Sequence, residues 1–310
     1  MTSFHLVKPP VLSRTAVLRD EMIRVDAERQ LKCWPSAQLV VVDDKGRTPV
    51  SWSDDGVAHL RTRPSSGEAP PTDAVLLGET DGVAYWAVRG EVDLVGGDDP
   101  SEWEDLRTTG AVLDDLGAGL FTGAVAVLNW HDAAQFCGRD GSPTHPANAG
   151  WHRVCEASGH EDYPRTDPAV ICLVHDGADR VLLARQPIWP ARRFSVLAGF
   201  VEAGESLEAC VAREIHEEVG VRVTDIGYLG SQAWPFPRSL MVGFHAQADP
   251  AESLVPADGE IEEAMWVTRA ELRAALAAGD WSERDEALPL LLPGPVSIAR
   301  SMLDSWAALS

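Results

Sequence analysis

The chain has 310 residues with 48 acidic and 26 basic side chains, a formal charge of −22, and 45% apolar content. That length allows two or three domains with real cores, and the charge excludes a general basic surface for nucleic acid or anionic membrane. A phosphate substrate would meet repulsion unless some carboxylates held a divalent cation.

The first ten residues lack the apolar core of a signal peptide, and no run approaches the ~18 apolar residues of a membrane span. Cys33, Cys137, Cys155, Cys172 and Cys210 are odd in number and follow no framework spacing. Reduced thiols in a cytoplasmic protein without membrane contact are therefore expected. Up to residue 125, short β-rich runs such as Gln38–Val42, Ala74–Gly78 and Val83–Val88 are bounded by Gly, Pro or Asp, which predicts a mainly antiparallel domain over 1–125. A helical segment is expected around 111–132. Residues 126–165 form a second segment, whose later part is rich in Gly, Pro, His and Asp and poor in aliphatics, so a metal or packing partner is expected to hold it. From 166 to 310 an α/β domain is expected. It comprises strands around the Asp176–Asp179 turn, a Gly-rich loop, a periodic helix, strands near 221–247 and 261–268, and helices near 269–278 and 296–309.

The most informative stretch runs from Gly199 to Val221. Leu207, Val211, Ile215 and Val219 recur every four residues and make one apolar helix face. Ser206 is placed to cap the start and Gly220 to end the helix in a left-handed turn. At roughly 100° per residue, Glu214, Glu217 and Glu218 share an arc of about 100° beside that face. Arg213 is the only nearby base. Clustered carboxylates after a loop containing Gly199 and Gly204 point to magnesium or manganese, hard cations that share their shell with phosphate oxygens. A solvated acidic face is the plainer alternative for a generic helix.

This segment resembles the Nudix signature at every fixed position: Gly199, Glu205, Arg213, Glu214, Ile215, Glu217, Glu218, Gly220 and Val221. The resemblance implies an α/β/α sandwich that hydrolyses a nucleoside diphosphate linked to another moiety. It implies Glu214, Glu217, Glu218 and the Ala198 carbonyl as metal ligands, Arg213 as their orienting cation and Glu205 as the residue closing loop onto helix. Ten residues on, Ser231-Gln232-Ala233-Trp234-Pro235-Phe236-Pro237-Arg238-Ser239 is similar to the substrate-recognition element of the NADH pyrophosphatase (NudC) subfamily, with Ala233 where that element has proline. By itself the element reads as a rigid crossing anchored by Trp234 and Phe236. The substitution makes the backbone freer and puts loop rigidity and dimer contacts in question. The same resemblance implies that Tyr163 and Phe200 sandwich the nicotinamide ring, that Glu260 (or its neighbour Glu263) is a further metal ligand, and that Ala299 and Arg107 reach the substrate.

The subfamily's middle segment is a zinc ribbon of two Cys-x-x-Cys knuckles. Here each knuckle keeps its first cysteine, Cys137 and Cys155, and has Asp140 or Ser158 in place of the second. Serine is a poor zinc ligand. A ribbon without zinc, packed around Trp130 and Trp151, is therefore expected; the alternative is a mixed site of Cys137, Asp140, Cys155 and His160. The function implied is metal-dependent hydrolysis of NADH or NAD to AMP and the mononucleotide by a homodimer. Removal of NAD caps from RNA 5′ ends would use the same bond. Alternatives are a Nudix hydrolase of ADP-ribose or dinucleoside polyphosphates, and a silent nucleotide sensor, against which the intact signature stands.

Overall fold

The computed structural model describes residues 4–90, 102–283 and 287–309; residues 91–101 of the expected N-terminal domain and 284–286 of the expected Nudix domain lie outside them. The chain divides into two compact units. One comprises Arg14–Thr166 with Pro235–Arg238, the other Met1–Ser13, Asp167–Trp234 and Ser239–Ser310. The β-rich and ribbon-like segments thus fall in one unit. The start of the chain goes with the Nudix segment because Phe4 is buried in its core and the Leu12 amide bonds to Gln232.

In the first unit, α1 (Glu21–Val25) and α2 (Ala27–Cys33) start on the side-chain caps of Asp20 and Asp26. Strands β1 (Gln38–Val42), β2 (Arg47–Trp52), β3 (Ala58–Leu60), β4 (Arg63–Pro64), β5 (Val75–Thr80), β6 (Val83–Arg89) and β7 (Trp103–Asp105) follow. They build a four-stranded sheet, order β4-β1-β6-β5, and a three-stranded sheet, order β3-β2-β7. Among the described strands of this unit's two N-terminal sheets only the β1–β6 pairing is parallel, so they are mainly antiparallel. A short α3 (Leu106–Thr109) leads to α4 (Asp115–Ala133), which is buried along most of its length. Its glycines allow close packing: a Cβ on Gly119 would sit 3.0 Å from the Arg14 carbonyl. The ribbon is a three-stranded antiparallel sheet of β8 (Thr144–Ala147), β9 (His152–Cys155) and β10 (Glu161–Asp162).

The second unit is a mixed sheet between helices. It contains β11 (Asp167–His175), β12 (Arg180–Arg185), β13 (Leu197–Phe200), α5 (Leu207–Val219), β14 (Thr224–Trp234), β15 (Ser239–Gln247), β16 (Glu263–Thr268), α6 (Arg269–Ala278) and α7 (Ile298–Ala307). The strand order is β14-β15-β11-β12-β16, with β13 also on β11. Central β11 runs parallel to β15 and is apolar on both faces, as a doubly covered strand must be. Val170, Cys172 and Val174 face the core that holds Val211, Ile215 and Val219 of α5. Ile171 and Leu173 face the opposite core with Met302, Leu303 and Trp306 of α7. Each such buried aliphatic contributes about 1.5–3 kcal/mol, so α5 is seated by its four-residue apolar row. This is the expected α/β/α sandwich.

Candidate active site

Strand β13 delivers the chain to the site, a turn through Gly204 at φ +90° reverses it, and α5 begins where the Ser206 side chain accepts from the Ala209 amide. Gly220, at φ +79°, ends the helix with its N–H on the His216 carbonyl. The capping and termination expected from the sequence are both present.

Arg213 sits at the centre of the acids. Its Nε and Nη2 bond both oxygens of Glu205, each at 2.8 Å, and Nη1 reaches Glu214 and Glu217 at 2.9 Å each. Nη2 also donates to the Phe200 carbonyl at 3.0 Å, fixing the end of β13 to the helix. The two-pronged guanidinium contact holds the Glu205 carboxyl down to about 2, and the Glu202 amide adds a 3.1 Å bond. Glu205 therefore remains a carboxylate that locks Arg213, which in turn sets Glu214 and Glu217.

Gly199 has a specific job. A Cβ there would lie 1.9 Å from the Glu214 carboxyl carbon, so only glycine lets that carboxylate lie against β13. The space over Gly199 is filled by a site residue.

Glu218 is the anomalous acid. It is 3% exposed, and its Oε2 is buried without a hydrogen-bond partner. Burial, then the neighbouring charges of Glu214 and Glu260, push its carboxyl up to about 8, against a backbone hydrogen bond from Ala198. Burial is also the main cause that raises Glu214. The loop carrying Glu260 is tied to the helix end: Val255 N–H donates to Val219 O and Ala257 N–H to Glu218 O, each at 2.9 Å. A buried carboxylate oxygen with no partner, among acids that one arginine only partly neutralises, fits a hard divalent cation. The ligand atoms of these acids do not converge to within 4.8 Å of one another; among the described residues only Cys137, Asp140 and Cys155 do so.

The recognition element divides between the units. Gln232, Ala233 and Trp234 end β14, where Ala233 pairs with Leu240 and Trp234 with Ser239. Gln232 is buried, with its amide engaged by Leu12 and Val296. In the other unit, Pro235, Phe236, Pro237 and Arg238 include a cis Phe236–Pro237 bond. The Pro235 carbonyl accepts from Asn129 at 3.4 Å, and Arg107 lies 4.1 Å over the Phe236 ring. Arg107 and Phe236 help line a cavity of about 350 Å³ with Asp44, Lys45 and Asn129. Tyr163, 56% exposed beside His152, belongs to that same unit. Phe200, 60% exposed at the end of β13, belongs to the Nudix unit. Ala299 is buried in the first turn of α7, its N–H on the Ser297 cap.

In the ribbon the two knuckles repeat one geometry. Cys137 N–H bonds Ser142 O and Gly141 N–H bonds Cys137 O; likewise Cys155 N–H bonds His160 O and Gly159 N–H bonds Cys155 O. The Cys155 thiol lies 3.6 Å from both Asp140 oxygens. The convergent group is Cys137, Asp140 and Cys155; His160, the fourth member of the expected mixed site, closes the second knuckle through its backbone carbonyl. Trp151 donates to Leu76 O at 2.7 Å, and buried Arg153 bonds Thr144 and His131, so the sheet is fixed to its unit by packing and hydrogen bonds.

A mixed sheet flanked by helices, bearing this arginine-centred acidic loop and helix, defines a Nudix domain. A family model described as "NUDIX domain" matches residues 165–291, one described as "NADH pyrophosphatase zinc ribbon domain" matches 132–163, and one described as "NADH pyrophosphatase-like rudimentary NUDIX domain" matches 33–130. A protein of Mycobacterium tuberculosis named NAD-capped RNA hydrolase NudC is 54% identical over 307 residues, covering 98% of this chain and 97% of that one. The mouse protein named NAD(P)H pyrophosphatase NUDT13, mitochondrial, is 43% identical over 205 residues, covering 65% and 58%. A solved Nudix hydrolase from Nitrosomonas europaea aligns at 22% identity and TM-score 0.39 over 51% of this chain and 97% of that one. The chain belongs to the NADH pyrophosphatase (NudC) family of Nudix hydrolases. Hydrolases of this class depend on divalent metal ions, and the zinc-ribbon domain lies between a rudimentary and a complete Nudix domain.

Proposed function

We propose that the chain hydrolyses the pyrophosphate bond of NADH or NAD to AMP and the nicotinamide mononucleotide, and that it removes NAD caps from RNA 5′ ends. The observation that carries this reading is Glu218, a buried carboxyl with an unpartnered oxygen beside Glu214 and Glu260. The names of the mycobacterial and mouse relatives support the substrate class.

Magnesium or manganese, held by Glu214, Glu217, Glu218, Glu260 and the Ala198 carbonyl, would neutralise diphosphate charge and activate water. As a carboxylate, the form that a neighbouring cation would favour, Glu218 would accept the proton of the attacking water. Arg213, anchored by Glu205, keeps Glu214 and Glu217 in place, and Gly199 leaves room for the first of them. By the family resemblance, Phe200, Trp234 and the backbone near Ala299 are the substrate-contacting groups of the Nudix unit, and Tyr163, Phe236 and Arg107 those of the other unit; Phe200 and Tyr163 each carry an exposed ring suited to a nicotinamide.

Resemblance to the subfamily supports a homodimer, and five free thiols support a cytoplasmic setting; none of the described helices is long and apolar enough to cross a membrane. The ribbon holds no structural zinc in this reading, because serine stands at the fourth knuckle position. Incubation with NADH, NAD, ADP-ribose and NAD-capped RNA, each with magnesium or manganese, tests the reading. Faster turnover of ADP-ribose than of every NAD species would refute it.

A further inference from the structure

Gln232 lies in β14, two residues before Trp234, and is 1% exposed. Its Oε1 accepts from the Leu12 amide at 3.2 Å, and its Nε2 donates to the Val296 carbonyl at 3.1 Å. Val296 immediately precedes Ser297, whose hydroxyl caps α7 by accepting from the Ala299 amide at 3.2 Å. One side chain therefore joins the start of the chain, the strand that leads into the recognition element, and the first turn of α7.

The segment over 4–13 is seated at further points. Phe4 is buried in the core against α7 and stands edge-on to His245 with ring centres 5.7 Å apart. The Val7 amide donates to Ser305 Oγ at 3.0 Å, although the Val7 side chain itself is exposed. Gly230 of β14 leaves space for Leu6, which a Cβ there would approach to 3.2 Å. A buried amide engaged at both ends cannot turn toward a ligand without leaving a buried donor and acceptor unpaired, an outcome the fold strongly resists.

We infer that Gln232 is a positioning residue, which makes substrate recognition by the Nudix unit depend on the segment over residues 4–13. The inference rests on the NAD(H) reading above. Sequence resemblance placed Gln232 among residues touching the substrate; its burial and two protein partners give it a different part.

Two full-length variants test this. Gln232→Met keeps the volume and removes both bonds, and Val7→Pro removes the Val7 N–H while altering an exposed side chain. For each, KM and kcat for NADH are measured with magnesium, together with amide hydrogen exchange of ligand-free protein. The expected result is a KM raised at least fivefold in Gln232→Met and raised in the same direction in Val7→Pro, with kcat within twofold. Exchange should quicken in β14 and the first turn of α7 but not in α5. A raised KM in Gln232→Met with Val7→Pro unchanged would overturn the inference, because Gln232 would then act on the substrate alone. Unchanged KM or unchanged exchange in both variants would also overturn it. If the wild type does not hydrolyse NADH while the exchange pattern appears, the substrate reading falls and the positional coupling stands.

Discussion

Glu218 holds an electrostatic conflict that a bound cation would resolve. Its carboxyl lies well above the ordinary value near 4.5, at about 8, so the folded state favours the protonated form. This group's contribution to stability is complete below about 4.5 and is lost as pH rises through about 8. A bound cation would reverse the preference and expel the proton. Calorimetry of magnesium binding at pH 7 in buffers of different ionisation enthalpy should show proton release, and Glu218→Gln should abolish it. That variant should also be at least as stable as wild type at pH 8.5 without metal, judged by thermal unfolding. Gly199→Ala tests the neighbouring acid: its methyl would collide with Glu214, so turnover should fall by about 100-fold or more, the scale of losing a positioned catalytic group.

Helix α5 is legible in the sequence because three kinds of signal agree on it: the four-residue apolar row, the Ser206 cap and the Gly220 stop. Glu205, Arg213 and Glu214 were legible as chemistry, yet the contact of Gly199 with Glu214 was not, since it depends on how β13 lies under the helix. The seating of residues 4–13 in the Nudix unit was also hidden. Phe4 and Leu6 read as a short apolar run, and nothing local marks a partner more than 200 residues away. The ribbon shows the converse case. The replacement of the second cysteine in each knuckle was plain in the sequence, whereas the contacts that fix the ribbon to its unit, Trp151 on Leu76 and Arg153 on Thr144 and His131, arise from tertiary packing. Native mass spectrometry of zinc-supplemented protein should find no bound zinc, and a chelator should leave ribbon hydrogen exchange unchanged. One zinc per chain would contradict this account of the ribbon.

At the scale of the molecule, the charge of −22 divides into parts with different consequences. Six glutamates, at 202, 205, 208, 214, 217 and 218, face one arginine in the loop and helix. There acidity becomes a demand for cations. Elsewhere it limits non-specific contact with polyanions. Lengthening the RNA behind an NAD cap from one nucleotide to about twenty should therefore leave kcat/KM within about threefold, and its salt dependence should stay shallow. A gain of tenfold or more would reveal an RNA track that the charge distribution does not suggest.

The most direct measurement follows NADH incubated with magnesium or manganese, with products separated by chromatography, for the wild-type chain beside Glu218→Gln. The expected result is stoichiometric AMP and reduced nicotinamide mononucleotide from the wild type, no turnover without metal, and a rate at least about 100-fold lower for the variant. Undiminished turnover by Glu218→Gln, or cleavage of NADH at any other bond, would contradict the assignment.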